Sequence, residues 1–315
     1  MSKPVIVSGT QPSGFLHIGN YLGAIKNWVD LQNSGKYDCF FFIADFHSIT
    51  ENYSPAEKRV QVLNLACDYL AAGLDPKKST IFIQSQVPQC TELAWIFNTL
   101  TPIGELERMI QFKDKSQKQN KNVNAGLLTY PILQAADILI YHGEFVPVGQ
   151  DQIQHLELTH DTVKWFNNKY ATKYFQDVKP LLTETPKIMS LVEPTSKMSK
   201  SAGAKHYIGI DESPEIISQK LSKAVSTPEG IENLRAIYKA FEKSMSGKFD
   251  ENKMSETKKI IAQGIANYFA DFRKKKAELM KDPKKVMKIL EQGKKKAQPI
   301  AQKTLQEVKK IIGLI

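Results

Sequence analysis

The sequence predicts an α/β fold: a doubly wound parallel sheet followed by a smaller all-α C-terminal domain. Two observations lead there. Short apolar segments at Val5–Val7, Cys39–Ala44 and Ser79–Ser85 alternate with longer amphipathic ones, the order that builds a parallel sheet with helices on its faces. From about residue 213 onward nearly everything carries helical spacing.

Taken in order, Val5-Ile6-Val7 is a compact strand running into the turn-rich stretch Ser8-Gly9-Thr10-Gln11-Pro12-Ser13-Gly14. A helix is expected from about Asn20 to Gln32, because Tyr21, Ala24, Ile25, Trp28 and Leu31 recur at helical spacing. Cys39–Ala44 is apolar, as a buried strand requires. Ser54-Pro55-Ala56-Glu57 opens the next helix with a capping serine, proline at the first helical position and glutamate at the third. Gly73 closes that helix, and Ser79–Ser85 is the third strand.

Helical patterns take over from Thr91. Lys113–Asn124 is polar and charged and is expected to be mobile. Leu127–Tyr141 is helical again, Val146–Val148 a short strand, and Gln152–Tyr170 another helix. The C-terminal helices are punctuated at Ser213-Pro214-Glu215, Thr227-Pro228 and Asp282-Pro283. A boundary is expected near residue 205, dividing the chain into 1–205 and 206–315.

At 315 residues the chain can bury a full core, and 42% hydrophobic with 24% charged residues is an ordinary globular composition. No apolar run reaches the length of a membrane span, and the opening residues lack a signal-peptide layout, so a cytoplasmic protein without membrane partners is expected. Cys39, Cys67 and Cys90 are too few and too scattered for a zinc pattern or a disulfide framework. Between Arg273 and Lys310 there are 14 Lys and Arg against 4 Asp and Glu, which accounts for the whole net charge of +10. A basic end on a neutral body suits a polyanionic partner, or else a solvated lysine-rich helix face.

Two elements suggest phosphate chemistry. Gly14-Phe15-Leu16-His17-Ile18-Gly19-Asn20 runs from a first strand into a helix, which places free N–H groups beside a turn. Gly19 leaves room for a flat ring, and His17 and Asn20 can donate to phosphate oxygens. Alone, a buried histidine and a capping asparagine would explain these residues. Lys197-Met198-Ser199-Lys200-Ser201 is a two-lysine, hydroxyl-rich turn able to neutralise charge on a leaving pyrophosphate, though an exposed basic loop would look the same. Their combination, in this order, is far more specific than either.

With both elements in place the sequence resembles a class I aminoacyl-tRNA synthetase, and over its whole length the bacterial tryptophanyl-tRNA synthetases. Matching stretches include Ser8–Gly14, Gly104–Met109, Gln111–Ser116, Ala125–Leu128, Ala135–Leu139, Val146–Gly149, Asp151-Gln152, His155–Leu158 and the pattern around Gly293, Lys294 and Ala297. The resemblance implies a Rossmann-like catalytic domain over 1–205, with a helical dimerisation segment near 90–145, and an anticodon-binding domain over 206–315. It implies ATP, L-tryptophan and tRNA(Trp) as substrates, Mg2+ accompanying ATP, and a homodimer.

Residue by residue, it implies that Gly19 carries the adenine while Gln11, His17 and Asn20 contact ribose or phosphates. Gly149 and Asp151 would hold the ribose, and Gln152 the ammonium group of the amino acid. Lys115, Lys197 and Lys200 would steer the pyrophosphate, with Met198 and Ser199 between the last two. Asp137 would accept the indole N–H, the single polar handle of that ring, among walls from Val7, His47, Val146 and Val148.

Tyrosine is the rival substrate. Tyr130, Gln134 and Asp137 have the i, i+4, i+7 spacing with which tyrosyl-tRNA synthetases grip tyrosine. Against it, Val7 stands where those enzymes usually place a tyrosine that binds the substrate hydroxyl, and a site with no partner for a buried phenol should reject it. Phe46, Gln150 and Ser196 depart from the residues common in tryptophan enzymes. Two alternatives remain: a small nucleotidyltransferase with a similar phosphate site, which would leave the long helical C-terminus and its basic surplus unexplained, and a non-catalytic RNA-binding relative.

Overall fold

The computed structural model describes residues 3–118, 123–149, 152–182 and 186–315, without the side chains of Lys115 and Lys118. Among these residues five strands form one parallel sheet: β1 Val5–Thr10, β2 Asp38–Ile43, β3 Ser79–Ile83, β4 Phe145–Val148 and β5 Lys179–Leu182, in the order β3-β2-β1-β4-β5. The chain lays strands outward on one side of β1 and then returns to the other, so the strand order switches between β1 and β4. In such sheets ligands lodge at the carboxyl ends of the strands beside the switch.

Among the described residues the α-helices are α1 Ile18–Asn20, α2 Lys26–Ser34, α3 Asp45–Ser48, α4 Pro55–Ala72, α5 Gln89–Asn98, α6 Ile103–Glu107, α7 Ile110–Lys118, α8 Ala125–Leu139 and α9 Ile153–Lys169. The C-terminal α10 Pro214–Ser222, α11 Pro228–Ala240, α12 Met254–Tyr268, α13 Ala270–Lys281 and α14 Pro283–Ile311 follow. Four expectations need correction. The first helix starts at Ile18, because the His17 side chain accepts from Gly19 N–H and Asn20 N–H and so caps it early. Its run is interrupted by a π-helical turn at Tyr21–Ile25, where Asn27 Nδ2 donates to the Leu22 carbonyl at 3.0 Å. The Ser54 side chain makes no cap hydrogen bond, although α4 does begin at Pro55. Finally, Lys113–Lys118 belongs to α7 and is helical.

Alternation along the central strands builds two cores. Ile6, Cys39, Phe41, Ile43, Ile81 and Ile83 face Trp28 of α2, Leu65 and Tyr69 of α4 and, further out, Ile261 of α12. Val7, Phe40, Phe42 and Phe82 face Phe97 of α5, Ile132 of α8, Phe166 of α9 and Ala301 of α14. The Trp28 ring stacks on Phe41 at 4.8 Å between centroids and meets Tyr69 edge-on at 5.5 Å.

The last helix returns to the sheet. α14 runs against β3, an edge strand, and covers the backbone groups that such an edge exposes. Gly293 makes this possible: a Cβ there would stand 1.8 Å from the Ile81 carbonyl oxygen. Thr304 Oγ1 to His142 Nε2 at 3.1 Å and Tyr174 Oη to Glu307 at 2.7 Å pin the far end of α14.

Candidate active site

β1 ends at Thr10, and α4 fixes the turn that follows. Tyr69, fully buried, places its hydroxyl 2.8 Å from Thr10 Oγ1, accepts from Thr10 N–H at 3.2 Å and donates to the Phe42 carbonyl at 3.1 Å. Lys58 donates to the Pro12 carbonyl at 3.2 Å. Gln11 is half-buried on this turn, and Gly14 takes a left-handed φ of 98°, which its missing Cβ permits.

His17 and Asn20 form a reciprocal capping box: His17 Nδ1 accepts two N–H groups, and the Asn20 side chain accepts from His17 N–H at 3.3 Å. With Nδ1 used as acceptor, the proton of the neutral ring sits on Nε2, which is then a donor. Burial, reinforced by the positive charges of Lys200 and Lys197, lowers the His17 pKa to about 4. The ring is therefore a neutral donor at physiological pH. Gly19 lies two residues on, and a Cβ there would press on the His17 ring at 3.0 Å.

The lysine loop meets this turn. Met198 is buried and its N–H bonds to the Ile188 carbonyl at 3.1 Å, anchoring the loop; Ser199 Oγ lies 2.9 Å from Ser201 Oγ. Lys200 Nζ donates to the Ser13 carbonyl at 2.9 Å, and the Gly14 Cβ position is only 3.8 Å away from it. Burial lowers the Lys200 pKa while Asp68 opposes that effect. Lys197 stays exposed. On the loop's flank Asn233 of α11 clamps Met189 through two hydrogen bonds, at 2.8 and 2.9 Å. The segment after it bonds to the turn, Ile18 N–H to Ile208 O and Ile210 N–H to Leu16 O, both at 3.0 Å.

A second constellation surrounds Asp137 on α8, which is 2% exposed. Its Oδ2 lies 2.8 Å from His47 Nε2 and accepts from Gln84 Nε2 at 2.7 Å. The Cys90 thiol also hydrogen-bonds to Asp137, and burial together with that carboxylate pushes the thiol pKa far up. Val7, Val146 and Val148 are buried in the core cluster that holds Ala136 and Ile138 on either side of Asp137. Tyr130 points its hydroxyl to His155 Nε2 at 3.0 Å, and burial, with a contribution from Glu51, raises its pKa to about 12. Gln134 is half-buried one turn before Asp137.

Gly149 lies just past the end of β4, and its carbonyl accepts from Gln152 N–H at 3.0 Å. Asp151, Gln150 and the Lys115 side chain lie outside the described residues. An open cleft of about 390 Å³ beside Tyr130 is lined by Phe46, Ile49, Trp95 and Leu133 among others, but does not reach Asp137. Sequence reasoning missed Gln84 and Cys90 beside Asp137, and Tyr69 and Lys58 behind the turn. Gln84 was open to discovery: it stands at the carboxyl end of β3, where ligand-handling residues gather.

With this geometry in view, comparison with known proteins is informative. Residues 1–309 match the family described as tRNA synthetases class I (W and Y). The Tryptophan--tRNA ligase of Clostridium tetani is 44% identical over 100% of this chain and 97% of its own length. The chain belongs to the class I tryptophanyl-tRNA synthetases. Solved members of the family share its shape. The tryptophanyl-tRNA synthetase of Campylobacter jejuni, complexed with ADP and tryptophan, superposes with a TM-score of 0.85 at 33% identity, covering 98% of this chain and 99% of its own. That of Mycoplasma pneumoniae gives 0.86 at 32%, covering 99% and 98%. Within this family the doubly wound domain with a helical C-terminal region is the shared architecture, and an aminoacyl-tRNA ligase the shared enzyme class. Tyrosine is not the favoured substrate.

Proposed function

We propose that the chain activates L-tryptophan with MgATP and transfers the aminoacyl group to the 3′ end of tRNA(Trp). The observation that carries this reading is the contact of Lys200 with the Ser13 carbonyl, which brings the two phosphate-handling elements together beside His17.

In the first step a tryptophan carboxylate oxygen attacks the α-phosphorus in line, the bond to the bridging oxygen breaks, and pyrophosphate leaves. In the second a terminal ribose hydroxyl of tRNA attacks the acyl carbon and AMP departs. The chain supplies donors: His17 Nε2–H and Asn20 to phosphate or ribose oxygens, Lys197 and Lys200, with Lys115, to the leaving pyrophosphate. Gly19 takes the adenine, Gln11 the phosphates, and Gly149 and Asp151 the ribose. Mg2+ arrives with the triphosphate. No strong acid or base is required, because position and fixed charge carry the rate.

Asp137 accepts the indole N–H, with His47 and Gln84 holding its carboxylate and Val7, Val146 and Val148 as walls. Tyr130, Gln134 and Gln152 face the amino-acid end. Residues 1–205 form the catalytic domain, with 90–145 contributing a dimer contact, and 206–315 the anticodon-binding domain. Exposed Trp95, Ile103 and Ile110 support a subunit interface there. A cytoplasmic setting fits three buried free cysteines, and no described helix is long and apolar enough to cross a membrane.

Charging of a tRNA(Trp) transcript with labelled tryptophan tests the reading. Formation of aminoacyl-tRNA with AMP release supports it; adenylate formation without charging would remove the tRNA step.

A further inference from the structure

Lys276 belongs to the basic stretch Arg273–Lys310, for which the sequence suggests a polyanionic partner or a solvated helix face. It is buried instead, with 7% of its surface exposed. Its Nζ lies 2.7 Å from Asp68 Oδ1 of α4 and 2.8 Å from Asp211 Oδ2, and stands over the Phe15 ring at 5.6 Å from the centroid. One ammonium thus joins four segments: α13, α4, the signature turn that leads from β1 through Phe15 to His17, and the stretch that follows the lysine loop. Asp68 is fully buried, and among the described residues its Oδ2 has no hydrogen-bond partner. A buried pair so incompletely satisfied is a poor device for stability alone, since apolar residues of similar volume could replace it.

Its position says what else it does. Asp211 directly follows Ile210, whose N–H bonds to Leu16 O, so Lys276 ties down the end of the segment that pairs with Leu16–Ile18. Phe15 lies beside Ser13 and Gly14, where Lys200 arrives. The Asp68 carboxylate also acts on the charge of Lys200.

We propose that Lys276, held between Asp68 and Asp211, is a positioning residue that sets the lysine loop and the signature turn in register for pyrophosphate departure. It couples the C-terminal helices to the chemistry at the ATP end. It touches neither substrate, and it acts through Lys200 and the His17 turn. The proposal rests on the synthetase reading above.

The test compares wild type with Asp211→Asn, and with the triple variant Asp68→Asn, Lys276→Met, Asp211→Asn, which removes every charge of the group together and strands none. Tryptophan-dependent pyrophosphate exchange gives kcat and the KM of each substrate, and thermal unfolding reports folding. The expected result for the triple variant is a melting temperature near wild type, a kcat at least tenfold lower and a tryptophan KM unchanged within twofold. Asp211→Asn, whose side chain is partly exposed and whose loss leaves the Lys276–Asp68 pair, is expected to lower kcat about threefold with the same KM pattern. Lys276→Arg, which keeps the charge, should retain most of the activity. A folded triple variant with kcat within twofold of wild type overturns the proposal. If the triple variant does not fold, an unchanged kcat in Asp211→Asn overturns it. Absence of exchange in the wild type would instead sink the synthetase reading itself.

Discussion

Lys200 and Ser13 are 187 positions apart in the chain, yet the Lys200 ammonium donates to the Ser13 carbonyl at 2.9 Å. The contact holds a half-buried cation at the carboxyl end of β1, next to a neutral His17. On the proposed reading both groups serve anionic oxygen, and being already in place each costs little reorganisation when charge moves onto a leaving pyrophosphate.

Lys200→Met is therefore expected to lower kcat for adenylate formation roughly a hundredfold to a thousandfold, the range for losing one preorganised donor. The tryptophan KM should change little. Steady-state pyrophosphate exchange checks this, and an equal rise in both KM values would point to general disruption of the site.

Gln84 joins two groups: it accepts from Phe46 N–H at 3.1 Å and donates to Asp137 Oδ2 at 2.7 Å. Asp137→Asn should reduce kcat/KM for tryptophan by roughly a hundredfold or more, because the single amide oxygen left is needed by Gln84 Nε2, which on the proposed reading turns the new NH2 donor toward the indole N–H. Gln84→Leu should raise the tryptophan KM about tenfold, in line with the loss of a hydrogen bond to a charged group. It should also narrow the preference for tryptophan over a sulfur analogue lacking the N–H. An unchanged preference would detach Gln84 from recognition.

His17 gives a pH signature with a definite sign. Its folded pKa is lowered from 6.5 to about 4, so between these values the unfolded chain binds more protons, and stability is lost as pH falls through the window. Asp68, raised from 3.8 to about 6 by burial, works in the opposite direction over nearly the same range. Total stability would blur the two, so the comparison must be differential. His17→Asn, relative to wild type, should gain about 3 kcal/mol as pH drops from 6.5 to 4. Denaturant unfolding at several pH values measures the gain; a pH-independent difference would contradict the buried neutral ring.

Gly293→Ala should be severely destabilising, by about 3 kcal/mol or more, because its Cβ would meet the Ile81 backbone rather than a movable side chain. Thermal unfolding reads this directly. A melting temperature equal to wild type would mean that α14 does not lie on β3 as described.

Much of this architecture was legible locally. β1, β2 and β3 announce themselves as dense apolar runs, and α10, α11 and α14 by Ser213-Pro214, Thr227-Pro228 and Asp282-Pro283, whose side chains cap as expected. β5 was not, because Lys179-Pro180-Leu181-Leu182 is short, largely exposed and carries a proline, a residue depleted in strands. The π turn at Tyr21–Ile25 also escaped, since one widened turn leaves the apolar spacing nearly intact. The helical pattern of Ala297, Ala301, Leu305 and Val308 gives α14 an apolar face, but a face does not name the surface it covers. Similar logic governs the site. His17, Gly19 and the two lysines of the loop sit in contiguous motifs, and the structure brings His17 and Lys200 together. Gln84, Cys90, Tyr69 and Lys276 act through long-range contacts that no local pattern encodes, and for Lys276 the lysine-rich surroundings pointed the wrong way.

Amino-acid-dependent exchange of labelled pyrophosphate into ATP, run with each of the twenty amino acids, tests the central claim most directly. Exchange with tryptophan alone is the expected result. Exchange with tyrosine instead would mean that Tyr130, Gln134 and Asp137 grip a phenol, and exchange with none would contradict the catalytic reading altogether.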